Sequence, residues 1–422
     1  MRTNWSRNQV FQAADVQRPH TLSALQRVVT ASSGLKVLGS GHSFNRVADT
    51  NATHLVLDHI PTTVDIDPVA RTARASAHMR YGTFALAIDA AGYAVPNMAS
   101  LPHISVAGAV ATATHGSGMH VGNLATAVVG MTVVLASGDI QEWSAATHGA
   151  TFAGMVVHLG GLAVVTHLTF ALVPSFSVRQ DLYIDLPFAT AMENFTEVMS
   201  SGYSVSLFTR WGAAYIDQVW RKSVTGEVAA IPEEWFGARR ATRTYHPIAE
   251  LDATPCTEQL GVYGPWHARL PHFKLEFTPS SGDELQSEYF VGHQDAVSAL
   301  RELYRIRHEI EPLLHVSEIR TIARDELWLS GQYERDSVAI HFTWKHSWAQ
   351  VQRILPMIED ILAPYGVRPH WGKLFTMDPE RVRATYPRMH DFQRLMGVYD
   401  PTEKFINDYL VGLGITKISP EL

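Results

Sequence analysis

Residues 35–45 read Leu-Lys-Val-Leu-Gly-Ser-Gly-His-Ser-Phe-Asn. A short apolar strand stops at Gly39, and the turn that follows carries a second glycine, Gly41, and a histidine, His42. Glycine lets the backbone adopt positive φ and approach a ligand closely, and consecutive N–H groups in such a turn form a nest for phosphate. The pattern therefore predicts a turn that grips a cofactor.

A second run, residues 97–118, reads Asn-Met-Ala-Ser-Leu-Pro-His-Ile-Ser-Val-Ala-Gly-Ala-Val-Ala-Thr-Ala-Thr-His-Gly-Ser-Gly. Nearly all of its residues are small or hydroxylated, which indicates backbone that lies directly against a flat, polar ligand. A histidine such as His42 is, on its own, more often a turn residue that bonds to backbone. The two runs together favour a cofactor role for it.

The two runs resemble the FAD-binding segments of the vanillyl-alcohol-oxidase family of flavoproteins, and most closely its alditol oxidase branch. The resemblance implies an α+β, two-domain fold in which an antiparallel sheet of the substrate domain lies over the flavin. In that family a histidine at this position is bonded to the 8α-methyl group of the flavin, which implies FAD covalently attached through His42. The cofactor residues carried over are Gly39, Ser40, Gly41, His42, Ser43, Ser105, Gly108, Thr114, His115, Gly116 and Val165.

Composition bounds the class of protein. The chain has 422 residues, of which 46% are hydrophobic and 18% charged, as is typical of a soluble globular protein of two domains or of one large domain with an insertion. A net charge of -7 argues against binding to nucleic acid or to an anionic membrane. Cys256 is the only cysteine, so an intrachain disulfide and a cysteine metal cluster are impossible, and a reducing, cytoplasmic location is expected.

No apolar signal segment begins the chain and no stretch reaches the ~20 apolar residues of a spanning helix, so we expect neither export by that route nor a membrane span. No motif of a metal protease, a phosphate-binding loop or a serine hydrolase occurs, and the turn misses the third glycine of the dinucleotide fingerprint. We therefore expect no metal. The expected partners are a small polyol substrate and molecular oxygen, and the protein is expected to be a monomer.

Periodicity predicts the organisation of the chain. A helix over Thr21–Val29 leads into the strand Leu35–Leu38, and residues 129–143 predict a hairpin that turns at Ser137 and Gly138. Three short alternating segments, 53–58, 63–67 and 72–77, predict a cluster of strands and not a βαβ series. A helix is expected over 188–199. We predict an FAD-binding domain over 1–175, a substrate domain over 176–375 and a C-terminal return over 376–422 that completes the FAD domain, as the resemblance implies.

Two later strands carry candidate chemistry. In the strand 314–321, period two places Glu318 and Arg320 on one face, and in the strand 338–344 it places His341 and Thr343 together. Four polar groups on one surface suit a polyol, because a buried polar group without a partner costs about 1–3 kcal/mol. The same pattern also fits a solvated sheet face with an ordinary salt bridge and a histidine of the core.

A further segment, Arg368-Pro369-His370-Trp371-Gly372-Lys373-Leu374-Phe375, again resembles the alditol oxidase branch. By that resemblance the substrate pocket consists of Ser105, Glu318, Arg320, His341, Thr343 and Lys373. It implies loss of hydride from a terminal carbinol carbon to the flavin, which gives an aldehyde, while oxygen becomes hydrogen peroxide. His341 is the preferred proton acceptor because its unperturbed pKa of ~6.5 allows a neutral imidazole, and Lys373 is the rival or a cation that stabilises the reduced ring.

Ser105 would hold the reacting hydroxyl, Glu318 and Arg320 the next hydroxyls, and Thr343 would support the cluster. The loop over 118–122 is the nearest departure from the pattern of the branch, and it bears on local loop geometry and not on the chemistry. Alternatives are an aldonolactone oxidase or dehydrogenase of the same family, a non-catalytic flavin- or polyol-binding protein, and a polar-ligand protein without a cofactor.

Overall fold

The computed structural model describes residues 2–227, 232–277 and 282–418, so the last four residues of the predicted C-terminal return lie outside the described residues.

The first part of the chain contains two main sheets. The elements of the first part are β1 (Asp15–Gln17), α1 (Leu22–Ala31), β2 (Leu35–Val37), β3 (Thr53–Leu55), β4 (Val64–Asp67), β5 (Thr72–Ser76), α2 (Tyr81–Asp89), β6 (Tyr93–Ala94), α3 (Val106–Ala111), β7 (Val128–Val134), β8 (Ile140–Ser144), α4 (Ala145–His148), α5 (Phe152–Val156), β9 (Val164–Ala171) and β10 (Val173–Pro174).

The predicted cluster of early strands is divided between these sheets. β1, β3 and β2 form a parallel sheet in that order, whereas β4 and β5 belong to the antiparallel order β4-β5-β9-β7-β8. The predicted cluster of strands therefore holds for β4 and β5 but is wrong for β3. The helix α1 carries the chain back, so that β1 and β2 run in the same direction on either side of β3. The hairpin of β7 and β8 forms as predicted, with Gly138 at positive φ in its turn.

A large antiparallel sheet dominates the second part. Its order is β14-β15-β11-β13-β12-β18-β19-β17-β20, and β16 also pairs with β11. The elements are β11 (Ser177–Pro187), α6 (Phe188–Glu193), α7 (Phe195–Ser200), β12 (Ser204–Thr209), β13 (Tyr215–Val224), β14 (Glu234–Trp235), β15 (Ala238–Arg240), β16 (Gly264–Pro265), β17 (Glu284–Gly292), α8 (Ala296–Arg305), α9 (Arg307–Ile310), β18 (Leu314–Ile322), β19 (Ser337–Lys345), α10 (Trp348–Leu362) and β20 (Arg368–Pro369). The helix expected over 188–199 is interrupted at Asn194, which gives α6 and α7.

The strand register sorts the side chains of the large sheet. His341 on β19 lies opposite Glu318 on β18 and opposite Glu288 on β17, so these three side chains share one face. The alternate positions, such as Ile340 and Phe342, are fully buried on the other face, in the same core as the apolar stripes of α8 and α10. One face of the sheet is thus a helix-covered core and the other is lined with polar groups.

The C-terminal segment returns to the first part of the chain. It contains α11 (Pro379–Ala384), α12 (Met389–Tyr399) and α13 (Asp408–Gly412). The Lys404 ammonium donates to the carbonyls of Val29 and Ala136 at 2.7 and 2.8 Å. That this segment completes an FAD domain, with bounds near residues 175 and 375, stays a prediction. Within the described ranges, no helix is long and apolar enough to cross a membrane.

Candidate active site

A cavity of about 310 Å³ lies where the two glycine-rich runs face the polar side of the large sheet. Ten of the eleven predicted cofactor residues line it, and so do all six predicted pocket residues: Gly39, Ser40, Gly41, His42, Ser43, Ser105, Gly108, Thr114, His115, Val165, Glu318, Arg320, His341, Thr343 and Lys373. Gly116 is the exception. A Cβ atom there would lie 2.1 Å from the Asn97 Oδ1 atom, so this glycine is required by packing within its own loop and not by the cavity.

The two runs hold each other through Ser40 and Ser105. The backbone N–H of Ser105 donates to the Ser40 Oγ at 3.0 Å, and the N–H of Ser40 donates to the Ser105 Oγ at 3.4 Å. A Cβ atom at Gly39 would lie 2.3 Å from the Ser105 Oγ, and one at Gly108 would lie 2.7 Å from it. Only residues without a side chain allow this approach, which leaves bare backbone facing the cavity.

His42 has a buried nitrogen without a partner. Its ring stacks on the Trp5 ring with centroids 5.5 Å apart. Among the described residues its Nδ1 atom has no hydrogen-bond partner. Burial, assisted by the nearby charges of His103 and Lys373, lowers the pKa of His42 to about 4. The imidazole is therefore neutral at neutral pH, and a buried polar atom without a partner is expected to meet a ligand.

Glu318 is held by a chain of buried groups that the sequence did not reveal. The Lys222 ammonium lies 3.3 Å from the His272 Nδ1, and the His272 Nε2 lies 2.7 Å from a Glu318 oxygen. An ammonium only donates, so the proton of neutral His272 is on Nε2, which donates to Glu318. Burial raises the pKa of Glu318, but Arg320 and His272 outweigh it and hold that pKa well below its usual range.

Glu288 is the second buried carboxylate of the face. It accepts a hydrogen bond of 2.9 Å from the Arg320 guanidinium, and its Oε1 lies 3.2 Å from the Nε2 of His115. Burial alone raises its pKa, yet the electrostatic interactions with the His115 ring and the Arg320 guanidinium bring that pKa well below the ordinary value. The alternation of Glu284, Gln286 and Glu288 along β17 is a signal in the sequence that would have revealed this strand as a third polar row.

His115, Glu288 and His370 form a compact buried group whose ligand atoms lie within 4.8 Å of one another. The donor set is of a kind that binds metals. However, Glu288 is already paired with Arg320, and the Nδ1 of His370 accepts the N–H of Gly372 at 2.9 Å. The remaining proton of neutral His370 is therefore on Nε2, so that this nitrogen has no lone pair to offer an ion.

His341 and Lys373 have strongly shifted acidities. Burial lowers the pKa of His341 to about 3, because the side chain is enclosed by the sheet and the cavity wall, so the ring is neutral but a weaker base than a free imidazole. Burial also lowers the pKa of Lys373 to about 8. The Lys373 ammonium lies 4.8 Å from the centre of the Phe44 ring and donates to Gln286. Of the two side chains, Lys373 is therefore the one that is present near neutral pH both as an ammonium and as a neutral amine.

The loop over 118–122 adjoins this face. The N–H of Gly118 donates to the carbonyl of Thr321 at 2.8 Å, and the N–H of Ala323 donates to that of Val121 at 3.0 Å. The loop therefore ties the second run to the end of β18. Other lining residues, namely Lys36, His158, Phe208, His246, Ile248, Phe273 and Thr112, were missed. Most lie in loops or are isolated along the chain, where periodicity gives no signal.

Comparison with known proteins agrees with this architecture. The family model of an FAD binding domain matches residues 13–144, and that of D-arabinono-1,4-lactone oxidase matches residues 283–413. An alditol oxidase of a Streptomyces species is 45% identical over 97% of each chain. An L-gulono-1,4-lactone dehydrogenase of Mycobacterium tuberculosis is 24% identical, over 96% of this chain and 97% of its own.

Two solved structures share the fold. A solvent-stable cholesterol oxidase superposes with a TM-score of 0.78 at 15% identity, over 98% of this chain and 97% of its own. Glucooligosaccharide oxidase from Acremonium strictum, described as carrying an 8α-N1-histidyl FAD, gives 0.74 at 13% identity, over 99% of this chain and 94% of its own.

The fold and the cavity define an FAD-binding oxidoreductase with the vanillyl-alcohol-oxidase-type architecture. Within that class the chain belongs to the alditol oxidase family.

Proposed function

We propose that this protein oxidises the terminal hydroxyl of an alditol such as xylitol or sorbitol to the aldehyde of the aldose, and reduces oxygen to hydrogen peroxide. The observation that carries the proposal is the polar sheet face, on which buried acceptors and donors alternate. Glu318 and Arg320 are both buried there, and both border the cavity. An open-chain polyol offers hydroxyls for the hydrogen-bond positions that the protein partners of these groups leave over, whereas an apolar substrate would leave those positions unsatisfied at a cost of about 1–3 kcal/mol each.

The residues present fit FAD. The bare backbone at Gly39 and Gly108 and the phosphate-type nest at Gly41 would hold it, with Ser40, Ser43 and Thr114 as further polar contacts. The buried Nδ1 of His42, which lacks a partner among the described residues, supports a covalent bond to the flavin at that atom. When bound, FAD supplies the two-electron acceptor that takes hydride from carbon and passes the electrons to oxygen.

The chain's own residues bind and orient the substrate. Ser105, which joins the two runs, is assigned to the reacting hydroxyl. Glu318 has one oxygen pinned by His272, so the other oxygen is the acceptor for a substrate hydroxyl. Arg320 donates to Glu288 and to the Ser100 hydroxyl, and its remaining donors serve the next hydroxyl along the chain. Thr343 completes the row beside His341 on β19.

Proton removal falls to the pair His341 and Lys373. Both border the cavity, and both are enclosed by protein. Because burial holds the pKa of His341 at about 3, this ring stays neutral but is a weak base. The lowered pKa of Lys373, about 8, makes a neutral amine accessible at mildly alkaline pH, close to what a general base needs.

The test is a steady-state panel with purified protein. Alditols, aldonolactones and the corresponding aldoses are supplied in turn, while oxygen uptake, peroxide and carbonyl product are recorded. We expect equal amounts of aldose and peroxide from xylitol or sorbitol. Turnover of aldonolactones alone would contradict the proposal in favour of the lactone alternative, and no turnover with retained flavin would favour a non-catalytic binding protein.

A cytoplasmic, monomeric enzyme completes the proposal. The cytoplasmic location is supported by the single cysteine, Cys256, which is buried as a free thiol. A reducing compartment suits such a protein, since it carries no disulfide framework to maintain.

A further inference from the structure

Gln286 lies between three ionisable side chains at the edge of the cavity. It is 8% exposed on β17. Its Oε1 accepts a hydrogen bond from the Lys373 ammonium, and the Nε2 of His341 lies 3.1 Å from the same oxygen. Its Nε2 donates to a Glu284 oxygen at 2.5 Å. One amide thus contacts both candidates for the proton acceptor.

These partners fix the orientation of the amide. Lysine nitrogen has hydrogens to donate, and a carboxylate only accepts, so the oxygen of Gln286 must face Lys373 and its NH₂ group must face Glu284. A carbonyl oxygen only accepts hydrogen bonds. The Nε2 of His341 therefore carries the hydrogen, and the lone pair of the neutral ring is on Nδ1. That lone pair is a weak base, because burial lowers the pKa of His341 to about 3.

We propose that Gln286 is a positioning residue that makes His341 a hydrogen-bond donor at Nε2 and leaves Lys373 as the acceptor of the substrate's hydroxyl proton. The inference rests on the proposed function and reverses the preference for His341 that the sequence suggested. A neutral Lys373 amine has two hydrogens and one lone pair. One hydrogen bonds to Gln286, which orients the lone pair towards a new partner.

The step balances. The O–H bond of the substrate breaks, an N–H bond forms at the Lys373 Nζ, and the oxygen electron pair becomes the second bond of the carbonyl. The C–H electron pair leaves as hydride to the bound FAD, whose oxidation by oxygen releases peroxide. The ammonium then returns its proton to solvent before the next turnover.

The charges around Lys373 set the pH range in which this operates. Glu284 and Glu288 face it from β17, Glu318 and Arg320 from β18, and His341 from β19. His42 and His370, both neutral, lie close enough to sense its charge. Burial is the largest influence and lowers the pKa of Lys373 to about 8, the glutamates raise it and Arg320 lowers it. Since the neutral amine is the active form, kcat/KM is expected to rise with pH through about 8.

The test compares Gln286→Glu with Gln286→Met in the flavin-loaded enzyme. Glutamate keeps an acceptor for Lys373 and adds negative charge, so the rise in kcat/KM should move to higher pH, by about one pH unit. Methionine removes the acceptor of the ammonium, so the rise should move to lower pH. Gln350→Glu, at an exposed position on α10, is the control and should leave the profile unchanged. Shifts in the same direction, or no shift, would overturn the proposal.

A second readout needs no turnover. Long-range proton–nitrogen NMR spectra of labelled histidines report which ring nitrogen carries hydrogen, and the His341 signal is the one that His341→Gln removes. We expect hydrogen on Nε2 in the wild type and a loss of that preference in Gln286→Met. Hydrogen on Nδ1 in the wild type would refute the assignment. If alditols are not substrates, the proposed function is refuted but the role of Gln286 can still be tested. The pH profiles are then recorded with whichever lactone is oxidised.

Discussion

Glu318 and His272 show how single residues set the affinity of the pocket. His272 donates to Glu318 at 2.7 Å and is itself held by Lys222, so one carboxylate oxygen of this cavity-lining residue is fixed. Nothing in the spacing of residues 250–277 suggests this contact, because His272 lies in an irregular segment that tertiary folding brings to the sheet. Glu318 itself was predictable, since period two along β18 places it beside Arg320.

The first prediction concerns His272. In His272→Phe the ring volume is kept but the bond to Glu318 is lost, and a hydrogen bond to a buried charge contributes about 1.5–3 kcal/mol. We expect KM for xylitol to rise by about ten to a hundredfold, with a smaller change in kcat. Steady-state kinetics measure both, with His59→Phe at an exposed position as control. An unchanged KM would show that His272 does not orient Glu318.

His42 is the subject of a second prediction at the residue scale. Burial keeps its imidazole neutral, with a pKa of about 4, and its Nδ1 has no partner among the described residues. We expect acid-precipitated wild-type protein to be yellow, and His42→Ala to release its flavin into the supernatant. The visible spectrum of pellet and supernatant decides this. Flavin in the supernatant of both proteins would leave an FAD enzyme without a covalent bond.

Asn45 joins three segments of the chain, which explains why the sequence motif around the cofactor turn extends to this residue. The NH₂ group of Asn45 lies within hydrogen-bond distance of the carbonyls of Trp371 and Lys373, both at 2.8 Å, and of the Tyr409 hydroxyl at 2.9 Å. The cofactor turn, the Lys373 loop and the C-terminal return therefore meet at one side chain. The sequence indicated each of the three segments by resemblance, but not the residue that joins them.

Asn45 accordingly gives a third prediction. Asn45→Ala and Asn45→Asp both remove the donors, while the aspartate keeps the acceptor that Asn45 offers to the Val47 N–H. Displacement of Lys373 should lower kcat by about tenfold or more in both variants, because small errors in placing a reacting group are costly. A kcat that only the alanine variant loses would show that the acceptor, and not the donors, matters.

The sequence predicted strands and their faces correctly where a local pattern of residues determines them. It did not predict the pairing of strands that are distant along the chain. The hairpin of β7 and β8 and the faces of β18 and β19 follow from turn residues and alternation. The division of the early strands between two sheets does not, because the pairing of β3 with β1 and β2 depends on where α1 packs. β17 was overlooked although its polar row at Glu284, Gln286 and Glu288 alternates as clearly as that of β18.

At the scale of the whole molecule, the cavity is lined by the early runs, by the large sheet and by the segment around Lys373. A ligand that fills it contacts distant parts of the sequence at once. A ligand that binds only the folded state stabilises it by mass action. We therefore predict that His42→Ala freed of flavin unfolds at a temperature several degrees below that of the same variant reloaded with FAD, and thermal scans of the two preparations measure this. Equal midpoints would mean that the cavity is not the FAD site.

The architecture was predictable because the two glycine-rich runs and the segment around Lys373 resemble a flavoprotein family, and that resemblance implied the fold. The charges of the site were not, because burial moves the pKa of His341 to about 3 and that of Lys373 to about 8, and burial is a property of the fold. The choice between the two as proton acceptor consequently required Gln286, whose role depends on three neighbours at once.

The most direct test of the account is anaerobic mixing of the flavin-loaded enzyme with xylitol while the visible flavin band is recorded. We predict loss of the band on a catalytic time scale, its return when oxygen is admitted, and a rate that falls steeply in Glu318→Gln. A band that no alditol bleaches, while an aldonolactone does, would contradict the assignment of the polar sheet face to an open-chain polyol.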